Sequence, residues 1–115
     1  MFHMNKNLKI VLAVEPVDLR KSFNGLYAIA HNVLGELPEE GALFIFSNRR
    51  KTRIKVFCFD GTGCWVSVKR LETGSFSWPK TTSNQKIFLK PEALALLLDG
   101  VDLRGPKLRP WYQRE

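Results

Sequence analysis

The order of apolar and polar residues predicts a strand followed by a helix in the first third of the chain. Residues 8–14 form a run rich in Ile, Val and Leu that is typical of a strand, and Glu15 and Pro16 end it. Asp18 is placed as a helix N-cap, because its carboxylate can accept hydrogen bonds from the amides of the first helical turn. Gly35 is a natural stop for that helix. Apolar residues recur at helical spacing between them: Phe23, Leu26, Tyr27, Ala30 and Leu34.

Short apolar runs in the rest of the chain predict four more strands and a second helix. The runs cover 42–46, 52–59, 64–71 and 86–90. Short turns separate the first three, which predicts an antiparallel meander. Pro91 begins a helix that continues through Leu98 to Gly100, since proline favours the first helical position and glycine the position after the last. The expected fold is α+β: an antiparallel β-sheet, a meander with a central hairpin, packed with two or more α-helices.

The chain length and its end regions predict a single cytoplasmic domain. A chain of 115 residues supports one hydrophobic core, so residues 1–115 are expected to form a single domain. Within it, residues 102–115 carry four cations among glycine and prolines and are expected to form a basic, extended or flexible tail. No apolar run reaches the roughly 18 residues that span a bilayer. Residues 1–7 lack the segments of a signal peptide, so a cytoplasmic location is expected.

The turn around Asp60 decides which side chains of the central hairpin share a face. A two-residue loop pairs Asp60 with Gly63 and mixes apolar and polar positions on both faces, whereas a three-residue loop pairs Asp60 with Cys64 and separates them. Because burial favours the register that gathers apolar side chains, the three-residue loop is predicted. One face then holds Ile54, Val56, Cys58, Val66 and Val68, and the other holds Arg53, Lys55, Phe57, Phe59, Trp65, Ser67 and Lys69.

The second of these faces interleaves basic and aromatic side chains and has two interpretations. If exposed, it suits nucleic acid, since cations neutralise phosphates and aromatic rings stack on bases. Alternatively, Phe57, Phe59 and Trp65 are buried under a helix with the cations at the rim, because large exposed aromatics are a liability in a monomer. A protein partner that covers these three aromatics satisfies the pattern as well.

The charge balance favours a polyanionic partner. The chain has 18 Lys and Arg against 11 Asp and Glu, a net charge of +7, and a field of that sign attracts nucleic acid. The basic turn at 48–51 can reach phosphates without disturbing the core. Arg20 and Lys21 are expected at the start of the first helix, where the helix dipole disfavours cations, so they need an anion such as Asp18, Glu15 or a phosphate. The candidate DNA contacts are Arg49, Arg50, Lys51, Arg53, Lys55, Lys69, Arg70, Arg20 and Lys21.

The remaining chemistry-bearing residues predict neither an enzyme nor a cofactor or metal site. The two cysteines lack the Cys or His spacing of a zinc site, and the two histidines belong to no nucleophile and base set. A metal-dependent nuclease needs two or more converging carboxylates. The candidates, Asp18, Asp60 and Glu72, lie in separate turns, where each has an ordinary structural role.

An ordered set of motifs resembles one protein family. The first motif is Val-Asp-Leu-Arg-Lys-Ser-Phe at 17–23, followed by Gly25 and Leu26. Further segments follow at 43–46, 49–50, 53–55, 60–63, 69–79 and 97–102. Together they resemble the small TnpB-type accessory protein, also called Orf2, that is encoded beside the transposase in bacterial insertion sequences of family sixty-six. The resemblance covers most of the chain. It departs from the family in the hairpin, where Cys58 and Phe59 stand in place of a frequent Trp pair and Ser67 and Val68 in place of frequent Tyr residues.

The resemblance implies a protein that is needed for transposition or assists it, with no enzymatic activity assigned. Taken with the charge, it predicts an accessory protein that binds DNA, the transposase assembly, or both, through a basic surface. The alternative is an adaptor between proteins that makes no direct DNA contact and uses the aromatic hairpin face.

Overall fold

A computed structural model describes residues 8–79, 84–100 and the backbone of 112–113. The α-helices are Phe23–Ala28 (α1), which a π-helical segment Ile29–Val33 continues, and Pro91–Leu98 (α2). A short 3-10 helix covers Pro38–Glu40. The strands are Ile10–Ala13 (β1), Leu43–Ser47 (β2), Arg53–Phe59 (β3), Cys64–Arg70 (β4), Lys86–Leu89 (β5) and the two-residue Tyr112–Gln113 (β6).

The strands form one mixed sheet in the order β4-β3-β2-β1-β5-β6. The pairing of β1 with β2 is parallel, and every other pairing is antiparallel. The predicted α+β class is confirmed in outline. The sequence did not predict the parallel pair, whose two strands are joined through α1, or the place of β5 beside β1. Most of the predicted tail at 102–115 lies outside the described residues.

Both faces of the sheet are covered, which explains why every residue of β1 and β2 is buried. The face that α2 covers is here called the α2 face. There Leu94 and Leu97 share one core with side chains of β1, β2, β3 and β5. On the opposite, α1 face, Leu26 and Ala30 pack on Phe44 and its neighbours. Alternate residues of each central strand therefore enter two separate cores.

The first helix begins later than the sequence predicts. Asp18 is not its N-cap: α1 starts at Phe23, after Ser22, whose side chain makes no capping bond. Residues 15–22 instead cross the end of β2, where the Val17 amide donates to the Ser47 carbonyl at 2.9 Å. The predicted stop at Gly35 fits, since this glycine has a φ of +70°, which favours a residue without a Cβ.

The predicted register of the hairpin was wrong. Phe59 pairs with Cys64 and Cys58 with Trp65, and the Asp60 amide donates to the Gly63 carbonyl at 2.9 Å, as in the rejected two-residue loop. The Asp60 carboxylate explains the choice. It accepts the amides of Thr62 and Gly63 at 3.0 Å each and the Trp65 indole N–H at 2.8 Å.

This register divides the predicted aromatic face between the two sides of the sheet. Phe57 is fully buried in the core of the α1 face, so it is not an exposed anchor. Trp65 lies on the α2 face, opposite Cys58, with 44% of its surface exposed. Val68, predicted to be in the core, lies opposite Lys55 on the α1 face and is 58% exposed. Phe59, half-buried, stays on the side of Phe57.

Candidate nucleic-acid interface

Two arginines lie directly opposite each other where β3 begins and β4 ends. Arg53 pairs with Arg70, and both are exposed. The Leu71 amide donates to the Thr52 carbonyl at 3.0 Å, so the next pair, Arg53 with Arg70, is of the type that exchanges no backbone hydrogen bonds. Such pairs have Cα atoms about 4.5 Å apart, and like charges directly opposite each other in a sheet are destabilising. The pair therefore places two positive side chains at one end of the hairpin.

Two lysines extend this site on the α1 face. Lys55 lies two residues along β3 from Arg53 and thus on the same face. Its ammonium donates to the backbone carbonyl of Lys21 at 2.8 Å, which ties the segment before α1 to the sheet. The two residues are 34 positions apart in the chain, so the sequence alone did not predict this contact. The four cations Lys21, Arg53, Lys55 and Arg70 are here called the cationic cluster.

The basic turn between β2 and β3 is fixed by its first residue. The Asn48 side-chain oxygen accepts the amides of Thr52 at 3.0 Å and Arg53 at 3.1 Å, while its amide group donates to the Thr52 hydroxyl at 3.0 Å. This network rigidifies the turn. Arg49 and Arg50 occupy its exposed tip, so they project from a fixed loop at the end of the sheet that carries Arg53 and Arg70.

The Lys51 side chain, in the same turn, makes its contacts within the protein. Its ammonium donates to the Ser47 hydroxyl at 3.2 Å and lies 5.5 Å from the centre of the Trp78 ring. Burial lowers the pKa of this ammonium. Its φ of +60° is unusual for a residue other than glycine. Lys51 thus holds the turn against the segment that follows β4 rather than presenting a charge.

Lys69 and Arg20 also have partners within the protein. The Lys69 ammonium donates to the Leu98 carbonyl at the end of α2, where a cation is favourable. Arg20 binds Asp18 through two parallel bonds, from Nε to Oδ1 at 3.0 Å and from Nη2 to Oδ2 at 2.9 Å. The Arg20 guanidinium lowers the pKa of the Asp18 carboxyl to about 2. The sequence correctly named Asp18 as a possible anion for Arg20.

The nine candidate cations therefore divide into two groups. Lys51, Lys55, Lys69 and Arg20 donate to partners within the protein. The other five have no acidic partner among residues 8–79 and 84–100: Arg49, Arg50, Arg53, Arg70 and Lys21. Sequence reasoning missed two exposed apolar side chains on the face of the cationic cluster, Phe23 at 49% and Val68. A correct hairpin register would have placed Val68 there.

Two of the carboxylates considered for a metal site, Asp60 and Asp18, have partners elsewhere. The Asp60 carboxylate accepts four hydrogen bonds within the hairpin, first from the Thr62 amide, then from the Trp65 indole, the Gly63 amide and the Thr62 hydroxyl, and these lower its pKa to about 2. Asp18 is paired with Arg20. Across the part of the chain that the structure describes, no group of three His, Cys, Asp or Glu side chains is arranged to hold a metal ion. In the same part, no helix has the length and apolar character needed to cross a membrane.

Comparison with known proteins places the chain in the family that its motifs resemble. A family model described as IS66 Orf2 like protein matches residues 8–108.

Two proteins of Sinorhizobium fredii (strain NBRC 101917 / NGR234) are similar over nearly their whole length. The uncharacterized protein y4jC is 34% identical over 110 residues, which is 96% of this chain and 93% of that protein. The uncharacterized protein y4hO is 34% identical over 107 residues, 93% of this chain and 92% of that protein. No solved structure matches the chain. The family match and the near-complete coverage of these relatives show that the chain belongs to the IS66 Orf2-like family of insertion-sequence proteins.

Proposed function

We propose that this protein assists transposition by binding the DNA backbone through the end of the sheet that carries the cationic cluster and the Arg49–Arg50 turn. The observation that carries the proposal is the Arg53–Arg70 pair. Two like charges face each other across neighbouring strands, and neither has an acidic partner among the residues that the structure describes, an arrangement that costs folding free energy. A bound phosphate offsets that repulsion and can accept hydrogen bonds from both guanidinium groups.

The geometry favours phosphate contact over reading of bases. The charges lie on a rigid sheet end and turn rather than on a helix or ribbon shaped for the major groove, and phosphate contacts carry no sequence information directly. We therefore expect binding to any duplex, with an affinity that falls steeply as salt rises. Sequence selection in this interpretation belongs to the transposase assembly.

The experiment is a salt titration of binding to a fluorescent duplex, with the double variant Arg53→Gln/Arg70→Gln. Each lost phosphate contact reduces the slope of log K against log salt by about one, so the variant is expected to lose roughly two. Its stability should equal or exceed that of the wild type, because the repulsion between the two arginines is removed.

Lys90→Gln is the matched control, since Lys90 is exposed and follows β5 at the opposite end of the sheet. This variant removes one charge and should leave the slope nearly unchanged. Equal effects of Lys90→Gln and of either single arginine variant would mean that net charge, rather than this site, governs binding. Absence of binding at low salt would refute the proposal.

An adaptor role is the second candidate, and the exposure of Trp65 favours it. Of the three aromatics predicted as anchors, Phe57 is buried, Phe59 is half-buried and Trp65 is exposed. It lies on the face opposite the cationic cluster, so the two roles are separable. Capture of the element's transposase that survives nuclease treatment and is lost in Trp65→Ala, but not in Arg53→Gln/Arg70→Gln, would support the adaptor.

A further inference from the structure

We propose that β4 pairs with β4 of a second copy, in an antiparallel register centred on Ser67. β4 is the last strand at its edge of the sheet, and no described residue pairs with its outer side. Its seven residues pair with β3 without interruption, so the strand carries no bulge. A long, regular edge strand with exposed apolar side chains is a template for another strand.

The phase of the β3–β4 hydrogen bonds determines which backbone groups of β4 point outward. The Asp60 amide bonds to Gly63, and the Leu71 amide bonds to Thr52. Because bonded and non-bonded pairs alternate between these two points, every second residue of β4 directs its N–H and C=O away from β3. The outward residues are Cys64, Val66, Val68 and Arg70.

These outward residues are complementary to themselves. When two copies of β4 run antiparallel about Ser67, Val66 of one copy meets Val68 of the other, and Cys64 meets Arg70. All four positions are of the outward type, so roughly eight backbone hydrogen bonds form across the junction. The pairing covers Val68, which is 58% exposed in the single chain. On the α2 face it places Trp65 beside the aliphatic stem of Lys69.

The charges on β4 favour the same register. Lys69 and Arg70 stand at one end of the strand, so antiparallel pairing with full overlap keeps the two Arg70 side chains at opposite ends of the junction. Parallel pairing would set them side by side, where like charges repel. The apolar centre of β4 matches its own copy, whereas an acidic peptide would satisfy only the basic end.

The resulting dimer has a definite geometry. A two-fold axis perpendicular to a continuous sheet leaves both α1 faces on the same side. Both Arg53–Arg70 pairs then face one way, at the two ends of the strand junction. Dimer formation is independent of DNA binding, and the two respond oppositely to salt. Salt screens the repulsion between two chains of net charge +7 and should strengthen the dimer, whereas it weakens DNA binding.

The first test is sedimentation equilibrium of the full chain without DNA, over a range of concentration and salt. Val68→Pro removes an outward N–H at an edge position, where proline is tolerated. It should weaken the dimer roughly tenfold or more, since two symmetry-related hydrogen bonds are lost. Val68→Thr keeps the N–H and a β-branched side chain and is the matched control, expected to associate like the wild type.

The second test is register-specific cross-linking in a Cys64→Ser background. Ser67→Cys meets its own copy in a non-bonded pair, whose Cα separation of about 4.5 Å suits a disulfide. Mild oxidation should therefore cross-link Ser67→Cys chains much faster than chains with the control Thr62→Cys, which lies at the hairpin tip. Equal rates for the two variants, or a wild-type protein that stays monomeric at all concentrations, would overturn the proposal. Monomers whose β4 binds an acidic peptide would overturn it as well.

Discussion

Cations that look equivalent in the sequence have different roles once their surroundings are known. Lys51 and Arg50 are neighbours, yet Lys51 packs on Trp78 while Arg50 is exposed. Lys69 binds the end of α2, whereas Arg70 faces Arg53. Sequence reasoning named all of these as DNA contacts because charge and turn chemistry are visible in a sequence, but the partner of a long side chain is not. Their role in binding stays a proposal.

At the same scale, Asp60 predicts a pH dependence of stability. Hydrogen bonds from the hairpin turn lower its pKa from 3.8 to about 2. A carboxyl with a depressed pKa stabilises the fold above its unfolded-state value, and this stabilisation is lost as pH falls through the folded value. The wild type should therefore lose stability between about pH 4 and pH 2. Asp60→Asn, which keeps an acceptor but cannot titrate, should lose less over that interval.

Urea unfolding of the wild type and of Asp60→Asn at pH 7 and pH 3, followed by tryptophan fluorescence, measures the free energy of unfolding of both proteins. The variant should be less stable than the wild type at pH 7, because a neutral acceptor binds the turn amides more weakly. This gap in unfolding free energy between the two proteins should narrow at pH 3. Asp18, whose pKa is also about 2, is present in both proteins and cancels in the comparison. A gap of constant size would show that the ionised Asp60 does not stabilise the turn.

At the scale of elements, the hairpin shows where sequence reasoning succeeds and fails. All five longer strands and α2 lie within about two residues of their predicted positions, because runs of β-branched residues and a Pro–Gly bracket are local signals. The register failed because it assumed that one face alone is buried. Because helices cover both faces, Val56 is buried on one side of the sheet and Phe57 on the other, so the burial of apolar residues does not select the register. The hydrogen bonds of the Asp60 carboxylate select it.

The contact between β4 and α2 gives a prediction for an element. Lys69→Met keeps the aliphatic stem and removes the ammonium that binds Leu98. Loss of a cation at a helix C-terminus should lower the free energy of unfolding by about 0.3–1 kcal/mol, and hydrogen exchange should quicken in the last turn of α2. Arg70→Met, the neighbouring control, should leave α2 unaffected and weaken DNA binding instead. Equal DNA binding by the two variants would contradict this division of roles.

At the scale of the whole molecule, the topology was beyond reach of the sequence. The parallel pairing of β1 with β2 and the insertion of β5 beside β1 depend on contacts between residues far apart in the chain. The sequences of β1 and β2 do not alternate between apolar and polar residues, which is a local sign that both lie in the middle of the sheet. Strands that are buried on both faces have continuous apolar runs. The cationic cluster depends on the same topology, because the α1 connection brings Lys21 to Lys55.

A sheet with a core on each face should unfold as one unit. Leu26 lies in the core of the α1 face and Leu97 in that of the α2 face, and both are fully buried. Alanine at either position should cost about 2–5 kcal/mol from lost burial and the cavity left behind. Trp78, on the α2 face, is the reporter in a Trp65→Phe/Trp111→Phe background. Because the strands between the two cores are shared, each variant should shift Trp78 fluorescence and far-ultraviolet circular dichroism to the same new midpoint. If Leu26→Ala melted the α1 side while the Trp78 signal kept its wild-type midpoint, the two cores would be independent, and the cationic cluster could then change shape without unfolding the sheet.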